Sequence, residues 1–505
     1  MATSIVRDSA TSYHAQALAE LRKESLDLFN RLHSIAEDTE FVNSVHNHYE
    51  DIPIIPNLRC GAWYVNPCAI SEQPAYFKST DGHFNNWSFN LRRPNIHLLD
   101  AIDRCKGLII VDSTRAGKRI PDALSKTVPL WCAVINRAIK AKYRIQDHWD
   151  TSLYTPPGVV SAQEHSQIEH KLDHWANQLL HSTYSLPTLE RPLRPLWITP
   201  ASESWPRVFE AEKRTFHPVI CVSASRQVED GLERRTNGFA YVQGSGDDHE
   251  LWGQGLTPSI FWQHKERLLF SKRYDLQDLV TELVSTKPSD GGHHYNSNSS
   301  TPVGHVQGRI VICLVSELPI PSIEDKSLVS ASNSTAYVVI SENTPTPTEQ
   351  RNPATCDDLV NAVLRLHLPP GKRGQHTFLD SVLPQSLPFI DAHLARGNDS
   401  TIYICCDTGK DASVGVALTA LQLFFDDEGL YVPDTERAAR LSKPSKKSIS
   451  KRLQWIISSR VQANPSRATL KRVNEFLMTP ASFRKESVSR VQGKLETSTP
   501  GVERG

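Results

Sequence analysis

The passage from Leu108 to Arg119 constrains this chain more than any other. An apolar run, Leu108-Ile109-Ile110-Val111, passes straight into Asp112-Ser113-Thr114-Arg115-Ala116-Gly117-Lys118-Arg119, and a helical pattern opens at Pro121. Strand, Gly-containing polar loop and Pro-opened helix in that order form the layout of phosphate sites, where backbone N–H groups at a helix start face an anion. Arg115, Lys118 and Arg119 add three cations to the same loop. A second polar cluster precedes it, Tyr76-Phe77-Lys78-Ser79-Thr80-Asp81-Gly82-His83, with a cation, two hydroxyls, a carboxylate and an imidazole within eight positions.

The surrounding pattern predicts an α/β first domain. Leu18, Leu21, Leu28, Leu32 and Ile35 recur at helical spacing and predict one amphipathic core-covering helix over 14–38. The alternation in Asn85 to Arg93 predicts a half-buried strand, Asn95 to Lys106 a helix, Pro121 to Lys142 another, and 163–181 a further one. Two more apolar runs, Val219 to Val222 and Phe239 to Val242, end in polar turns. The second turn, Gln243-Gly244-Ser245-Gly246-Asp247-Asp248-His249-Glu250, gathers three carboxylates in four positions. Such a group suits either a Mg²⁺ site or a solvated acidic turn.

With 505 residues, about three domains at most are expected, and the pattern suggests two plus a tail. The boundaries predicted are 1–330 for a larger N-terminal α/β domain, with a low-complexity polar loop at 287–303, 331–480 for a smaller one, and 481–505 for a flexible basic tail. Acidic and basic residues balance at 56 each, so no global field attracts nucleic acid. The nine cysteines form no Cys-x-x-Cys pair, which predicts reduced intracellular thiols rather than a zinc ribbon or a disulfide scaffold. No signal core and no apolar run near the roughly 20 residues of a membrane helix are present, so a soluble cytoplasmic protein is expected, with no membrane and no DNA partner.

The second domain carries its own strand, loop and helix. Thr401-Ile402-Tyr403-Ile404 leads through Cys405-Cys406-Asp407-Thr408-Gly409-Lys410-Asp411-Ala412-Ser413 into an apolar helix from Val414. This loop resembles that of the cysteine-dependent dual-specificity phosphatases, with Cys406 at the nucleophile, Gly409 at the loop glycine and Ser413 at the final hydroxyl. The histidine of that pattern is Cys405 here, and its phosphate-clamping arginine is Ala412. Loss of the bidentate fork predicts a loop that binds phosphate without hydrolysing it. Downstream, residues 443–494 hold 13 Lys or Arg against two acids. Lys446, Lys447, Lys451, Arg452, Arg460, Arg467, Lys471 and Arg472 on two helices are expected to contact an RNA backbone, a solvated basic face being the alternative.

The clusters at 76–83, 112–119 and 241–248, together with the degenerate loop at 405–413, resemble the fungal and plant initiator-tRNA phosphoribosyl transferase family over most of residues 40–480. The resemblance implies transfer of 5-phosphoribosyl from phosphoribosyl pyrophosphate to the 2′-hydroxyl of adenosine 64 of initiator methionine tRNA. Such chemistry breaks a bond between ribose C1 and a highly charged leaving group. It calls for cations and Mg²⁺ on the pyrophosphate, a carboxylate near C1 and a base for the hydroxyl. Arg115, Lys118 and Arg119 are expected on the phosphates, Ser113, Thr114 and Gly117 as cradle, and Asp112 on the metal or the ribose hydroxyls. Lys78, Asp81 and His83 would form the facing wall with Ser79 and Thr80, Asp81 being the preferred base and Asp247 the next. Gln243, Gly244 and Gly246 would contact substrate, and Asp247 and Asp248 a metal. Cys406, Asp407, Thr408, Gly409, Lys410, Asp411 and Ser413 would hold the ribose 5-phosphate or a tRNA phosphate. The rival reading is a catalytically inactive phosphatase-like scaffold that binds RNA.

Overall fold

The computed structural model describes residues 16, 19–58, 60–115, 117–145, 148–207, 211–235, 238–285, 300–318, 335–342 and 362–479. The chain divides into two compact units, residues 1–181 with 185–297, and residues 182–184 with 298–505. The expected 481–505 tail lies outside the described residues.

The first unit is built on a four-stranded parallel sheet in the order β1 (Ile54–Pro56), β2 (Leu108–Asp112), β4 (His217–Ser223), β3 (Leu193–Ile198). Every residue of β2 and β4 is buried, so their continuous apolar runs are covered on both faces. The expected helices form around the sheet: α1 (Leu28–His48), α2 (His97–Cys105) and α3 (Val128–Tyr143), the last entered through a π-turn at Ala123–Thr127. The polar loops after β1, β2 and β4 gather at the carboxyl edge of the sheet, where open α/β sheets bind ligands.

Three local expectations are corrected. The helix predicted over 14–38 is interrupted at Asp27, whose side chain caps α1, and α1 continues ten residues further to His48. The region 85–93 forms no strand; it is extended loop in which Trp87 and Phe89 are buried and their neighbours are not, so the alternation reflects burial without a ladder. The helix predicted over 163–181 is two helices, Ala162–Glu169 and Leu172–Leu180.

A two-stranded antiparallel ribbon, β5 (Leu232–Arg234) with β6 (Ala240–Val242), stands outside the main sheet. Helix α1 satisfies one edge of β6 with side chains. Ala240 N–H donates to Asn30 Oδ1 at 3.0 Å, and Val242 N–H donates to Ser34 Oγ at 2.8 Å. Asn30, Ser34 and Asp38 recur every four residues, so α1 turns a buried polar stripe toward the ribbon in addition to its apolar one.

The second unit holds a five-stranded sheet in the order β10 (Ala362–His367), β9 (Thr335–Ser341), β11 (Thr401–Cys406), β8 (Ile310–Leu314), β7 (Ser300–Pro302), parallel except for β7. Its boundary therefore falls near 298, not 330, because the apolar run of β8 pairs with β11. Helices α4 (Leu383–Leu394), α5 (Ala412–Phe424), α6 (Lys446–Ser459) and α7 (Arg467–Met478) complete the expected flanked sheet. Cys313 and Cys405 face each other in register on β8 and β11, with their sulfur atoms side by side. No described helix is long and apolar enough to cross a membrane.

A Cβ at Gly61 would overlap the carbonyl oxygen of Val111, where the turn after β1 crosses the end of β2. Gly61→Ala is expected to destabilise the first unit by about 1–3 kcal/mol, as overpacking against fixed backbone does. Denaturant titration against the unsubstituted chain checks this; an unchanged midpoint would show that the turn can move aside.

Candidate functional site

At the end of β2, Asp112 is buried, accepting from Asn57 Nδ2 at 2.8 Å and from the Ser113 N–H at 2.9 Å. Asn57 follows β1 and also exchanges two hydrogen bonds with the backbone of Phe77, at 2.7 and 2.8 Å. One side chain thus ties the first polar cluster to the second. Beyond Asp112 the loop is shaped from the far side by Gln243, whose amide N–H groups donate to the carbonyls of Lys118 at 2.8 Å, Arg115 at 3.1 Å and Thr114 at 3.3 Å. Gly244, at φ +69°, lies so close that a Cβ would sit 2.6 Å from the Thr114 carbonyl oxygen. Gly246 stacks on Trp63, with room for no side chain. Gln243 and Gly244 are therefore organisers of the loop and Gly246 is packed on Trp63, which corrects their expected place as substrate contacts.

With its carbonyls held inward, the loop leaves Arg115, Gly117, Lys118 and Arg119 exposed. Among the described residues, none accepts a hydrogen bond from the backbone N–H groups of Thr114, Lys118 or Arg119. Gly117, at φ +88°, supplies the left-handed turn. This is the chemistry of an anion-binding concavity. Arg119 additionally donates to Thr199 Oγ1 at 3.1 and 3.2 Å.

The facing wall differs from expectation in one decisive respect. Both oxygens of Asp81 are taken by the fork of Arg93, each at 2.8 Å, and Ser88 Oγ lies 3.4 Å from one of them. The pair is largely buried. A carboxylate held this way by two side chains is badly placed to accept a substrate proton, so Asp81 is corrected from base to structural anchor. The carboxylate that sequence reading missed is Asp122. It pairs with Lys118, with Lys126 Nζ at 3.0 Å, and lies 3.7 Å from His83 Nε2. His83 and Lys118 thus come from the two clusters to one acid. Lys126 continues to Glu164 at 3.1 Å, which also accepts from Trp87 Nε1 at 2.9 Å. Ser79, Thr80 and Asp81 lie in one 3-10 turn, Ser79–Gly82, and Lys78 is half-buried beside Tyr76. A Cβ at Gly82 would fall 2.7 Å from the Asp122 carbonyl oxygen, so glycine permits the contact between the clusters.

Asp247 and Asp248 both clamp Arg115, at 3.0 and 2.7 Å. Among the described residues no group of three His, Cys, Asp or Glu side chains has the placement of a metal site. With both charges already set against a guanidinium, the two aspartates do not fit a resident metal ion.

Beneath the loop runs a buried polar chain. Ser113 Oγ is 2.6 Å from Ser225 Oγ, Ser225 Oγ–H donates to Asp38 Oδ2 at 2.6 Å, and Tyr241 O–H donates to Asp38 Oδ1 at 2.7 Å. Burial pushes the Asp38 carboxyl up to about 8, against the hydrogen bonds of Ser225 and Tyr241, with Glu37 raising it and Arg226 lowering it further.

In the second unit, Cys406 is buried at the base of its loop. Burial alone would raise its thiol, but hydrogen bonds from the side chains and backbone of Ser413 and Thr408 bring it below the ordinary thiol value. Asp407, Thr408 and Lys410 are exposed, Gly409 takes φ +59°, and Asp411 accepts from the Ser466 N–H at 2.8 Å. The basic helices are only partly as expected. Arg452 lies buried over Trp455 and donates to Asp427 and the Phe425 carbonyl; Arg460 is buried and donates to the Gly409 carbonyl at 2.9 Å and to Thr301. Both are corrected from RNA contacts to internal struts. Lys451 pairs with Asp427 and Arg472 with Glu475, while Lys446, Lys447, Arg467 and Lys471 are exposed.

A parallel α/β unit with a cation-bearing loop, followed by a degenerate phosphatase-like unit, defines a two-unit α/β protein with two candidate phosphate sites. The family model described as Rit1 N-terminal domain matches residues 21–285, and that described as Rit1 DUSP-like domain matches residues 362–477. The chain belongs to the Rit1 family. It is 34% identical, over 92% of its length and 94% of the relative's, to the tRNA A64-2′-O-ribosylphosphate transferase of Saccharomyces cerevisiae. It is 36% identical to an uncharacterized protein of Schizosaccharomyces pombe, over 89% of this chain and 94% of that one. Among solved structures, human DUSP28 is 14% identical with TM-score 0.23, over 36% of this chain and 94% of that one. The human tyrosine phosphatase-like serine/threonine/tyrosine-interacting protein is 14% identical with TM-score 0.22, over 35% and 94%.

The raised Asp38 carboxyl has a consequence for stability. Its folded value exceeds the roughly 3.9 of an unfolded aspartate, so its contribution is complete below about pH 4 and is lost as pH rises toward about 8. Asp38→Asn is expected to flatten that decline, as measured by unfolding free energy at a series of pH values. Parallel curves for the two proteins would refute the assignment.

Proposed function

We propose that this protein transfers a 5-phosphoribosyl group from phosphoribosyl pyrophosphate to the 2′-hydroxyl of adenosine 64 of initiator methionine tRNA, and does not act on elongator methionine tRNA. One observation carries the reading: the Asp122 carboxylate joins Lys118 of the cationic loop to His83 of the facing cluster. A leaving-group site and a proton acceptor thereby meet, in a chain whose relative in Saccharomyces cerevisiae bears the corresponding transferase name.

In this reading the bond between ribose C1 and pyrophosphate breaks while O2′ of the tRNA bonds to C1. Arg115, Lys118 and Arg119, with the loop N–H groups, take the charge that develops on pyrophosphate. Asp112, fixed by Asn57, stands for the positive charge at C1 or for the ribose hydroxyls. His83, oriented by Asp122, accepts the hydroxyl proton, replacing Asp81 in that role. Mg²⁺ belongs to the pyrophosphate complex of the donor, so the ion enters as part of the substrate. Exposed Lys446, Lys447, Arg467 and Lys471 are the contacts left for the tRNA backbone.

The test is a transfer assay with ribose-labelled phosphoribosyl pyrophosphate, Mg²⁺ and unmodified initiator or elongator methionine tRNA. Label is expected in the initiator alone, with Lys118→Ala reducing it at least tenfold and His83→Gln lowering kcat by about 10²-fold at unchanged tRNA affinity. Full transfer by His83→Gln would remove His83 as the base, and no transfer by the folded protein would leave an RNA-binding scaffold. Separately, Lys446→Ala with Lys447→Ala should weaken tRNA binding equally for both tRNAs and lower the slope of log affinity against log salt by about 1–2, as counterion release requires. An unchanged slope would remove that face from the RNA path.

A further inference from the structure

The loop at Cys406 opens into a cavity of about 260 Å³. Ala412, standing where the related phosphatases place their phosphate-clamping arginine, contributes only a methyl group to its wall. An arginine lines the cavity nonetheless: Arg472, sixty residues later on α7, with Thr469 one turn before it on the same helix face.

The packing explains how α7 reaches the loop. Gly415 lies in the first turn of α5, and a Cβ there would fall 2.6 Å from Thr469 Cγ2 and 2.7 Å from Phe378 Cζ. Only a bare Cα lets the two helices lie this close. Asp411, which enters α5, accepts from the Ser466 N–H at 2.8 Å and so fixes the start of α7 to the loop. Arg472 rests on Glu475 Oε2 at 2.7 Å, an i, i+3 pair in which Glu475 is well exposed. An anion in the cavity would compete with that carboxylate for the guanidinium.

The start of α5 borders the same space through Asp411 and Ala412; Asp411 does not cap the helix with its side chain, and the Ser413 backbone already serves the Cys406 sulfur. The cavity also carries the carboxylates of Glu342, Asp407 and Asp411. Asp407 accepts from the Glu342 N–H at 3.0 Å and Asp411 from Ser466, but their charge still opposes an anion, so affinity is modest. A half-open pocket of this size admits a terminal phosphate on a sugar, whereas the phosphodiesters of an RNA stem are flanked on both sides.

We infer that this cavity is a non-hydrolysing phosphomonoester site, taking a phosphate on ribose C5, in which Arg472 of α7 replaces the missing loop arginine. This deepens the reading of the loop as a phosphate site and is independent of the transfer reaction. Phosphoribosyl pyrophosphate and the 5′ end of an RNA both present that group.

Calorimetric titration of the full chain in the Lys118→Ala background, which weakens the loop after β2, separates this site from the first unit. Ribose 5-phosphate is expected to bind once, about tenfold more weakly in Arg472→Met, with affinity restored in the double variant Arg472→Met/Ala412→Arg. Melting curves check that each variant folds, and Arg472→Lys, which keeps the charge without the fork, should fall between. Binding to ribose 5-phosphate but not to a 5′-phosphorylated oligonucleotide assigns the small sugar phosphate, and the reverse assigns the RNA end. Unchanged binding in Arg472→Met, no rescue in the double variant, equal binding of dimethyl phosphate, or turnover of an aryl phosphate would each overturn the inference. Loss of tRNA transfer with ribose 5-phosphate binding intact would count against the proposed function and leave this site standing.

Discussion

The carboxamide of Gln243 holds the first site together. It gathers three carbonyls of the loop after β2, while its own oxygen takes the Val228 N–H at 3.2 Å, so the buried amide is satisfied on both sides. Without that clasp, a loop bearing three cations would spread and lose its conformation. With it, carbonyls point inward and N–H groups and cations outward. Gly244 permits the approach, and the polar stripe of α1 holds the ribbon that carries both residues.

A second theme is the difference between charges that build the protein and charges that remain to act. Asp81 with Arg93, Arg452 over Trp455, and Arg460 beneath the Gly409 carbonyl are internal, and breaking such a set leaves a buried charge unpaired. Arg115, Lys118 and His83 also have partners, but these three side chains are themselves exposed and can be drawn to a substrate. Asp122 is the hinge between the two groups, buried itself and touching groups on the surface.

Local chemistry was legible in the sequence wherever one stretch contained it whole. The run Leu108 to Arg119 and the loop after β11 declared strand, loop and helix because period and punctuation coincide there, and the α/β class followed. What depended on distant partners was not legible. Asp81 reads as a free acid until the chain returns with Arg93; Asp122 looks like an ordinary helix-start acid until His83 folds over it. Arg452 and Arg460 belong to a basic run by count, and only their packing under Phe425 and Gly409 shows that they face inward. The run Ile310 to Leu314 is not among the expected strands, and its place in the second sheet is fixed only by its partner on β11. The same holds for Asn30, Ser34 and Asp38, polar residues on a helix whose spacing looks solvated.

That last stripe bears on how the protein is made. Asn30 and Ser34 wait for a strand about 210 positions later, and the loop after β2 waits about 125 residues for Gln243. Contacts so far apart close late, because the ordering entropy of the intervening chain must be met first. On a ribosome the sheet strands β1 to β4 emerge before the residue that shapes their loop. The nascent chain therefore passes through an interval with its scaffold synthesised and its anion cradle unset, which ends when the ribbon docks on the first long helix.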